Sequence, residues 1–116
     1  MALTKTITLT GSATTTVSST PWIVDLWANP QSIGVNCQVT GTATYTLQGS
    51  YDDFSPQWDV VANTPVWNPI TNFNAITTST NGSIKDGPYT MIRLLISSGT
   101  GTVTAKFIQS YAGHTI

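Results

Sequence analysis

Few side chains in this 116-residue chain are of types that carry out acid–base or nucleophilic chemistry. Asp52 and Asp53 are adjacent, so on a strand they would point to opposite faces and would not share one acid–base site. A turn in which one carboxylate caps the local backbone is the ordinary place for such a pair. The only histidine, His114, lies close to the C-terminus, where chains are often loose, and no nucleophile-elbow motif is present. The sequence therefore predicts that the chain is not an enzyme.

Metal ligands are equally sparse. One histidine, one cysteine and scattered aspartates give no ligand spacing, and a calcium site built from Asp52, Asp53 and Asp59 does not match an EF-hand loop. Cys37 has no partner for an internal disulfide and lies on the apolar side of residues 33–39, which predicts a buried structural thiol rather than a reactive one. We predict no metal and no cofactor.

Arg93 lies in the middle of an apolar run. This position predicts that it pairs with an aspartate such as Asp25, or extends to the sheet edge, rather than binding a ligand. Trp22 lies on an apolar face and is predicted to pack in the core. The other tryptophans lie in loop-like sequence near Pro or Asn: Trp27, Trp58 and Trp67. They are of a type that anchors loops on the core, stacks on sugars or fills pockets on a protein partner, and the sequence leaves these three roles open.

Charge is the unusual feature of the composition. Charged residues make up 8% of the chain, against about a quarter in average domains, there is no Glu, and the net charge is −1. The chain has too few basic residues to bind along a phosphate backbone or an anionic membrane surface. We therefore predict no nucleic-acid and no membrane partner. Threonine, serine and asparagine supply the solubility instead. With little charge to oppose association, the composition favours assembly with neighbouring molecules, with a neutral soluble monomer as the alternative.

Residues 89–109 form the stretch around which the rest of the chain is arranged. Two strand-like runs, 91–96 and 102–108, flank the glycine-containing residues 97–101, which predicts a central antiparallel hairpin. A second hairpin is predicted from residues 33–39 and 42–51, joined by Gly41. Both regions share the frame Gly-Thr-x-Thr-x-Thr. We interpret this shared frame as two hairpins that need the same turn geometry. It is not interpreted as a repeat, because two copies are too few for an array.

The remaining segments complete an all-β pattern. Residues 3–10 alternate strictly, so residues 1–11 are predicted as an edge strand or an extended arm, with Lys5 on the inner side to protect the edge. Residues 12–19 are predicted as a short edge strand or a loop, residues 22–27 as a strand, and residues 52–69 as a long loop with a short strand at 58–61. Residues 71–80 are predicted as an edge strand containing Phe73, Asn81-Gly82 as a turn, and residues 111–116 as a loose tail.

No 3.6-residue periodicity persists anywhere in the chain. The pattern therefore predicts a single domain over residues 1–116, an antiparallel β-sandwich of jelly-roll-like type, with six to eight short strands and little or no helix. The N-terminus lacks the basic and apolar regions of a signal peptide, and no stretch approaches membrane-spanning length. We expect a protein that is made and used without signal-dependent export.

Several motifs now stand in a recognisable order. They are Pro-Trp-Ile-Val-Asp-Leu at residues 21–26, Gly-Thr-Ala-Thr-Tyr-Thr-Leu-Gln-Gly-Ser-Tyr-Asp-Asp at 41–53, Pro-Val-Trp at 65–67, Pro-Tyr-Thr-Met-Ile-Arg-Leu at 88–94, Ser-Gly-Thr-Gly-Thr-Val-Thr at 98–104 and Ile-Gln at 108–109. In this order the chain resembles the small head-decoration, or cement-type, structural proteins of tailed bacteriophages. The likeness covers roughly residues 20–110 and consists of β-hairpin motifs, not of catalytic signatures.

The resemblance implies a β-sandwich homo-oligomer, a dimer or trimer, that clamps neighbouring major capsid subunits on the virion exterior after assembly in the bacterial cytoplasm. Binding to the capsid is expected to come from burial of apolar and aromatic surface together with strand addition. The predicted contact residues lie in the N-terminal strand and near the long loop: Leu3, Lys5, Ile7, Leu9, Trp27, Trp58, Trp67 and Phe73. Two alternatives stay open, a carbohydrate-binding or receptor-binding module and a tail or head-completion protein.

Overall fold

The structure, a computed structural model, describes residues 2–24, 31–51, 66–84 and 89–111, and side chains for these ranges apart from residues 2, 3, 31, 32, 110 and 111. The described residues form strands and irregular connections, with no helix among them. The strands are β1 (Ala2–Thr10), β2 (Val17–Ser18), β3 (Trp22–Ile23), β4 (Gln31–Thr40), β5 (Thr44–Ser50), β6 (Asn68–Pro69), β7 (Thr80–Ser83), β8 (Met91–Ser98) and β9 (Thr102–Tyr111). The predicted all-β class is confirmed; three of these nine strands have only two residues.

The strands form two antiparallel sheets that pack face to face. One is a four-stranded sheet in the order β1-β9-β4-β7. The other is a five-stranded sheet in the order β2-β8-β5-β6, with β3 also paired to β8. The chain crosses repeatedly between the sheets, so that β1, β4, β7 and β9 lie in one sheet and β2, β3, β5, β6 and β8 in the other. This is the jelly-roll arrangement of a sandwich, as the sequence predicted.

The two predicted hairpins are wrong, although the strands themselves are present. β8 and β9 are consecutive but lie in different sheets, and so are β4 and β5. Residues 99–101 and 41–43 therefore carry the chain from one sheet to the other, and we call these two connections arches. Alternation and a glycine-rich link specify strand, turn and strand, but not whether the two strands share a sheet.

The two arches pack against each other, which explains their shared sequence frame. The Gly101 N–H donates a hydrogen bond to the Thr42 carbonyl oxygen over 2.8 Å. Gly99 has a φ of +89°, and a Cβ there would collide with the Thr42 carbonyl and lie 2.9 Å from the Ala43 Cα. The Gly11 N–H donates in turn to the Gly101 carbonyl oxygen over 2.9 Å. We call Gly11 and the two arches together the arch end.

The core lies between the inner faces of the two sheets. In β8, Ile92, Leu94 and Ile96 point inward and are at most 1% exposed, and burying each of them stabilises the fold by about 2 kcal/mol. The Trp22 ring packs on the Phe107 ring with centroids 5.3 Å apart, which confirms its predicted core position. The rest of the cluster comes from both sheets: Ile7, Val24, Ile33, Val35, Cys37, Ala43, Tyr45, Leu47, Ile70, Phe73, Tyr89, Val103, Ala105 and Phe107.

Residues 70–84 differ from their prediction. Residues 70–79 follow the edge of β5 as an irregular segment, in which the Leu47 N–H donates to the Phe73 carbonyl over 2.9 Å. Asn81 and Gly82 do not form a turn, because they lie within β7 opposite Asn36 and Val35 of β4. Pairing with β4 therefore overrides the local turn preference of Asn-Gly.

The N-terminal segment is an edge strand and not a detached arm. All nine residues of β1 pair with β9, from Ala2 opposite Ser110 to Thr10 opposite Thr102. Lys5 shares the inner side with the buried Ile7 by alternation, yet its side chain is exposed at the edge of the sandwich. In the stretch predicted as strand or loop, only Val17 and Ser18 form a strand. The predicted strand at 58–61 and the tail beyond Tyr111 lie outside the described residues.

Candidate functional site

The described residues contain no cluster of three or more His, Cys, Asp or Glu side chains placed to hold a metal ion. His114 and the five aspartates, at positions 25, 52, 53, 59 and 86, lie outside the described ranges. Cys37 is fully buried, as predicted, and burial raises the pKa of its thiol to about 11. At neutral pH this thiol is protonated and shielded, which makes it a structural group and not a nucleophile.

Large exposed hydrophobic side chains are concentrated at one end of the five-stranded sheet. Among the described residues, Ile23, Tyr51 and Val66 are 61%, 57% and 65% exposed. Ile23 lies opposite Met91, the first residue of β8, while Tyr51 follows the last residue of β5 and Val66 precedes β6. The opposite end of β8 leads into an arch. We call the group Ile23, Tyr51 and Val66 the apolar end.

Arg93 is fixed on the outer face of the five-stranded sheet, next to the apolar end. It alternates with the inward Ile92 and Leu94, and it lies directly opposite Gln48 of β5. Its Nε–H donates a hydrogen bond of 2.7 Å to the Gln48 Oε1, and its Cζ lies 4.4 Å from the centroid of the Trp67 ring. Burial lowers the pKa of the Arg93 guanidinium, which still leaves it charged at neutral pH. These two contacts hold the guanidinium in one orientation.

The prediction for Arg93 is therefore only partly tested. Its suggested partner Asp25 lies outside the described residues. Instead of extending to the sheet edge, the side chain is held over the face of the sheet by Gln48 and Trp67. On the same outer face Met91 is buried and Leu95 is half-buried, so this face of β8 is partly covered.

The outer face of the four-stranded sheet has a different character. Threonine pairs cross it, with Thr8 and Thr104 hydroxyls 3.5 Å apart and Thr10 and Thr102 hydroxyls 3.1 Å apart. A shallow groove of about 560 Å³ runs across it. The groove is lined by Thr4, Gly34, Val35, Asn36, Asn81, Gly82, Lys106 and Ile108. Ile108, 48% exposed, is the one large exposed hydrophobic that the described residues place on this face.

A second groove, of about 390 Å³, follows the edge strand β1 where the two sheets separate. Its lining comes from β1 and from the segment around β2: Lys5, Thr6, Ile7, Thr8, Leu9, Ser18, Ser19 and Thr20. In the part of the chain that the structure describes, β1 pairs with β9 alone, so its other edge presents backbone N–H and C=O groups.

The eight contact residues predicted from the sequence fall in different places. Ile7 is 7% exposed and Phe73 is 1% exposed; both belong to the core, so they have almost no area to offer a partner and we drop them as contact residues. Lys5 and the half-buried Leu9 line the β1 groove, and Trp67 lies beside Arg93. The others lie outside the described side chains: Leu3, Trp27 and Trp58.

Sequence reasoning missed Arg93, Gln48, Ile23 and Val66 as surface candidates. For Arg93 a signal was available, because alternation with Ile92 and Leu94 places it on the outer face. Ile23 and Val66 had no such signal, since single exposed hydrophobics are common and only the fold brings these two to one end.

No protein-family model, curated protein or solved structure matches this chain. In the described ranges no helix has the length and apolar character needed to cross a membrane. A functional proposal therefore depends on the fold, the surfaces described above and the sequence motifs.

Proposed function

We propose that this chain is a non-enzymatic structural protein of a virion, which decorates and stabilises a bacteriophage capsid by binding neighbouring subunits of the major capsid protein. In this proposal copies of the chain associate as dimers or trimers on the outer surface of the capsid. The observation that carries the proposal is the apolar end, where Ile23, Tyr51 and Val66 are more than half exposed.

Grouped hydrophobic side chains favour a macromolecular partner. Exposed single hydrophobics need no explanation, but several that share one end of a small domain are typical of a surface that another protein covers. Trp67 and Arg93 lie next to them, and Trp and Arg are enriched among the residues that dominate protein–protein binding. The position of these side chains supports an interface centred on this end of the five-stranded sheet.

The composition supports the same proposal. With 8% charged residues and a net charge of −1, long-range electrostatic attraction contributes little, so binding has to come from buried apolar area and shape. The motif order resembles that of phage decoration proteins, and jelly-roll sandwiches are common in viral capsid proteins and in lectins. Likeness of fold alone is an analogy and does not assign a function.

The free edge of β1 supports association between copies. Its nine residues lie in regular register on β9, and among the described residues no strand covers the other side. Addition of a strand to such an edge is a common way to join protein chains. Lys5, exposed beside this edge, weakens non-specific pairing without blocking a specific one.

The test is whether the protein is present on assembled particles, and at what copy number relative to the major capsid protein. Particles are purified, washed in 50 mM and in 1 M sodium chloride and quantified by gel densitometry. We expect a fixed stoichiometry that changes little between the two washes, because apolar burial is not screened by salt. Absence from particles, or loss of most of the protein in high salt, would contradict the proposal.

A carbohydrate-binding or receptor-binding module is the second candidate. The half-buried Trp67 with the planar polar groups of Arg93 and Gln48 favours it, since sugar sites combine a stacking ring with hydrogen-bonding side chains. A shift of tryptophan fluorescence on titration with glycans would support this function.

A tail or head-completion role would be identified by imaging labelled virions, which separates the shell from the tail.

A further inference from the structure

We propose that Arg93 is a preorganised binding site for a carboxylate, and that its natural occupant is an aspartate or glutamate side chain of the partner protein. The identity of the partner rests on the proposed function. Carboxylate binding itself rests only on the geometry around Arg93.

Among the described residues, the contacts of Arg93 do not involve the two terminal nitrogens of its guanidinium. The Nε–H donates to Gln48 Oε1 over 2.7 Å, and the Cζ lies over the Trp67 ring. The two terminal nitrogens carry four further N–H donors, for which no acceptor is found among the described residues. Two parallel N–H groups match the two oxygens of a carboxylate, and such bidentate pairs are among the strongest hydrogen bonds in proteins.

The orientation of Arg93 is fixed before any ligand arrives. A free arginine side chain has many rotamers, and ordering it on binding has a cost in conformational entropy. Stacking on Trp67 and the bond to Gln48 have already restricted these rotamers in the folded protein. The site therefore loses less conformational entropy on binding than an ordinary surface lysine or arginine does.

Charge complementarity selects an anion. Of the three cationic side chains in the described residues, Lys5 and Lys106 belong to the four-stranded sheet, and Arg93 alone lies on the outer face of the five-stranded sheet. Its neighbours on that face include Trp67 and the half-buried Leu95. When a partner covers this surface, water is excluded and the interaction of the guanidinium with a carboxylate strengthens.

Because Arg93 is the only arginine in the chain, a direct test is possible. In ¹⁵N-labelled protein its Nε–H gives a single resonance, which is followed while sodium acetate is added, with sodium chloride at equal ionic strength as the reference. We expect a saturable shift of the Arg93 Nε–H and of the Trp67 indole N–H with acetate, and only a small linear drift with chloride.

Two variants define the site. Gln48→Glu places a carboxylate at the Nε–H of Arg93, where it neutralises the charge of the guanidinium. We therefore expect the affinity for acetate to fall about tenfold or more. Lys106→Gln removes one positive charge from the other sheet and is expected to leave acetate binding unchanged. Equal shifts with acetate and chloride, unaltered affinity in Gln48→Glu, or terminal N–H signals already bonded to a carboxylate in the free protein would each overturn the site.

The partner is tested separately with particles. Arg93→Lys keeps the charge but loses the paired N–H donors of the guanidinium and its stacking on Trp67, so we expect its occupancy on capsids to fall about tenfold. Lys106→Gln is expected to bind as the parent does. If acetate binds but Arg93→Lys occupies capsids normally, the proposed occupant is wrong and the decoration function stands. If the parent protein never occupies capsids, the function is wrong, and the acetate titration still decides the site.

Discussion

The two ends of the sandwich are built from the same strands but differ in their surfaces: one end consists of closely packed backbone, and the other carries exposed hydrophobic side chains. At the arch end, backbone approaches backbone so closely that Gly99 and Gly101 leave no room for a side chain; a Cβ on Gly101 would lie 2.6 Å from the Thr40 carbonyl oxygen. At the apolar end, Ile23 and Val66 are more than half exposed. The arch end therefore specifies the fold, and the apolar end is the surface at which we propose binding.

The difference follows from how the chain crosses between the sheets. Each arch has only three residues between its strands, so the backbone must turn sharply and the two arches come into contact. Their hydrogen bonds tie Gly11, Thr42 and Gly101 together. Substitutions at the arch end should therefore change stability, whereas substitutions at the apolar end should change binding.

The largest effect is expected from Gly99→Val. A β-branched residue is unfavourable at a φ of +89°, and its Cβ would collide with the Thr42 carbonyl. We expect the free energy of unfolding to fall by about 3–5 kcal/mol, measured by urea denaturation. The matched control is Gly82→Ala, whose Cβ would lie in ordinary contact, 3.6 Å from the Phe73 ring. A Gly99→Val protein as stable as Gly82→Ala would contradict the role of the arches.

Alkaline pH should lower the free energy of unfolding, because two buried titratable groups lie in the half of the sandwich next to the arches. Burial raises the pKa of Cys37 from 9.0 to about 11 and that of Tyr45 from 10.0 to about 12. The unfolded chain releases these protons first, so stability is complete below pH 9 and is lost as pH rises from 9 towards 11 and 12. We expect a decrease of about 2 kcal/mol from Cys37.

The contribution of Cys37 is measured by following the free energy of unfolding from pH 7 to pH 11 in the parent and in Cys37→Ala. The variant is less stable at neutral pH because it loses core volume, but its decline with pH should be shallower. Parallel curves for the two proteins would show that the thiol does not titrate in this way.

A smaller effect is expected from Tyr45→Phe. The Tyr45 hydroxyl donates a hydrogen bond of 2.9 Å to the Thr78 carbonyl and ties β5 to the segment before β7. Its loss should lower the free energy of unfolding by about 1 kcal/mol in thermal or urea denaturation. A Tyr45→Phe protein as stable as the parent would mean that water replaces the phenol as a donor.

The smallest effect on stability should come from Gln48→Ala, beside the apolar end. It removes one half-buried hydrogen bond to Arg93 and should change the free energy of unfolding by less than about 1 kcal/mol. Acetate binding should weaken, because Arg93 is no longer held. A loss of stability as large as that of Gly99→Val would remove the distinction between the two ends.

The sequence was sufficient for the fold class but not for the connections. Alternation located β1, β4, β5, β8 and β9, and the core positions of Trp22 and Cys37 followed from their apolar neighbours. The glycine-rich links were misread as hairpins, because a strand–turn–strand pattern has the same period whether its strands pair or cross between sheets. Asn81-Gly82 was misread for a related reason, since pairing with β4 depends on residues far away in the chain.

The candidate site was harder to predict than the fold. Phe73 was predicted as a contact residue on an edge strand, but the irregular segment that contains it forms hydrogen bonds along β5, and its side chain is buried in the core. Ile23, Tyr51 and Val66 are separated in sequence and share one end of the sheet only because β3 and β5 end there and β6 begins there. Their grouping is a property of the topology and leaves no local sequence pattern.

The most direct test of the account compares the double variant Ile23→Ser/Val66→Ser with Ile108→Ser for occupancy on purified capsids. Ile108 is also a large exposed hydrophobic, but it lies on the outer face of the four-stranded sheet. We expect the double variant to unfold within about 0.5 kcal/mol of the parent yet to lose at least tenfold in occupancy, while Ile108→Ser binds normally. Full occupancy by the double variant, or loss with Ile108→Ser instead, would contradict the account.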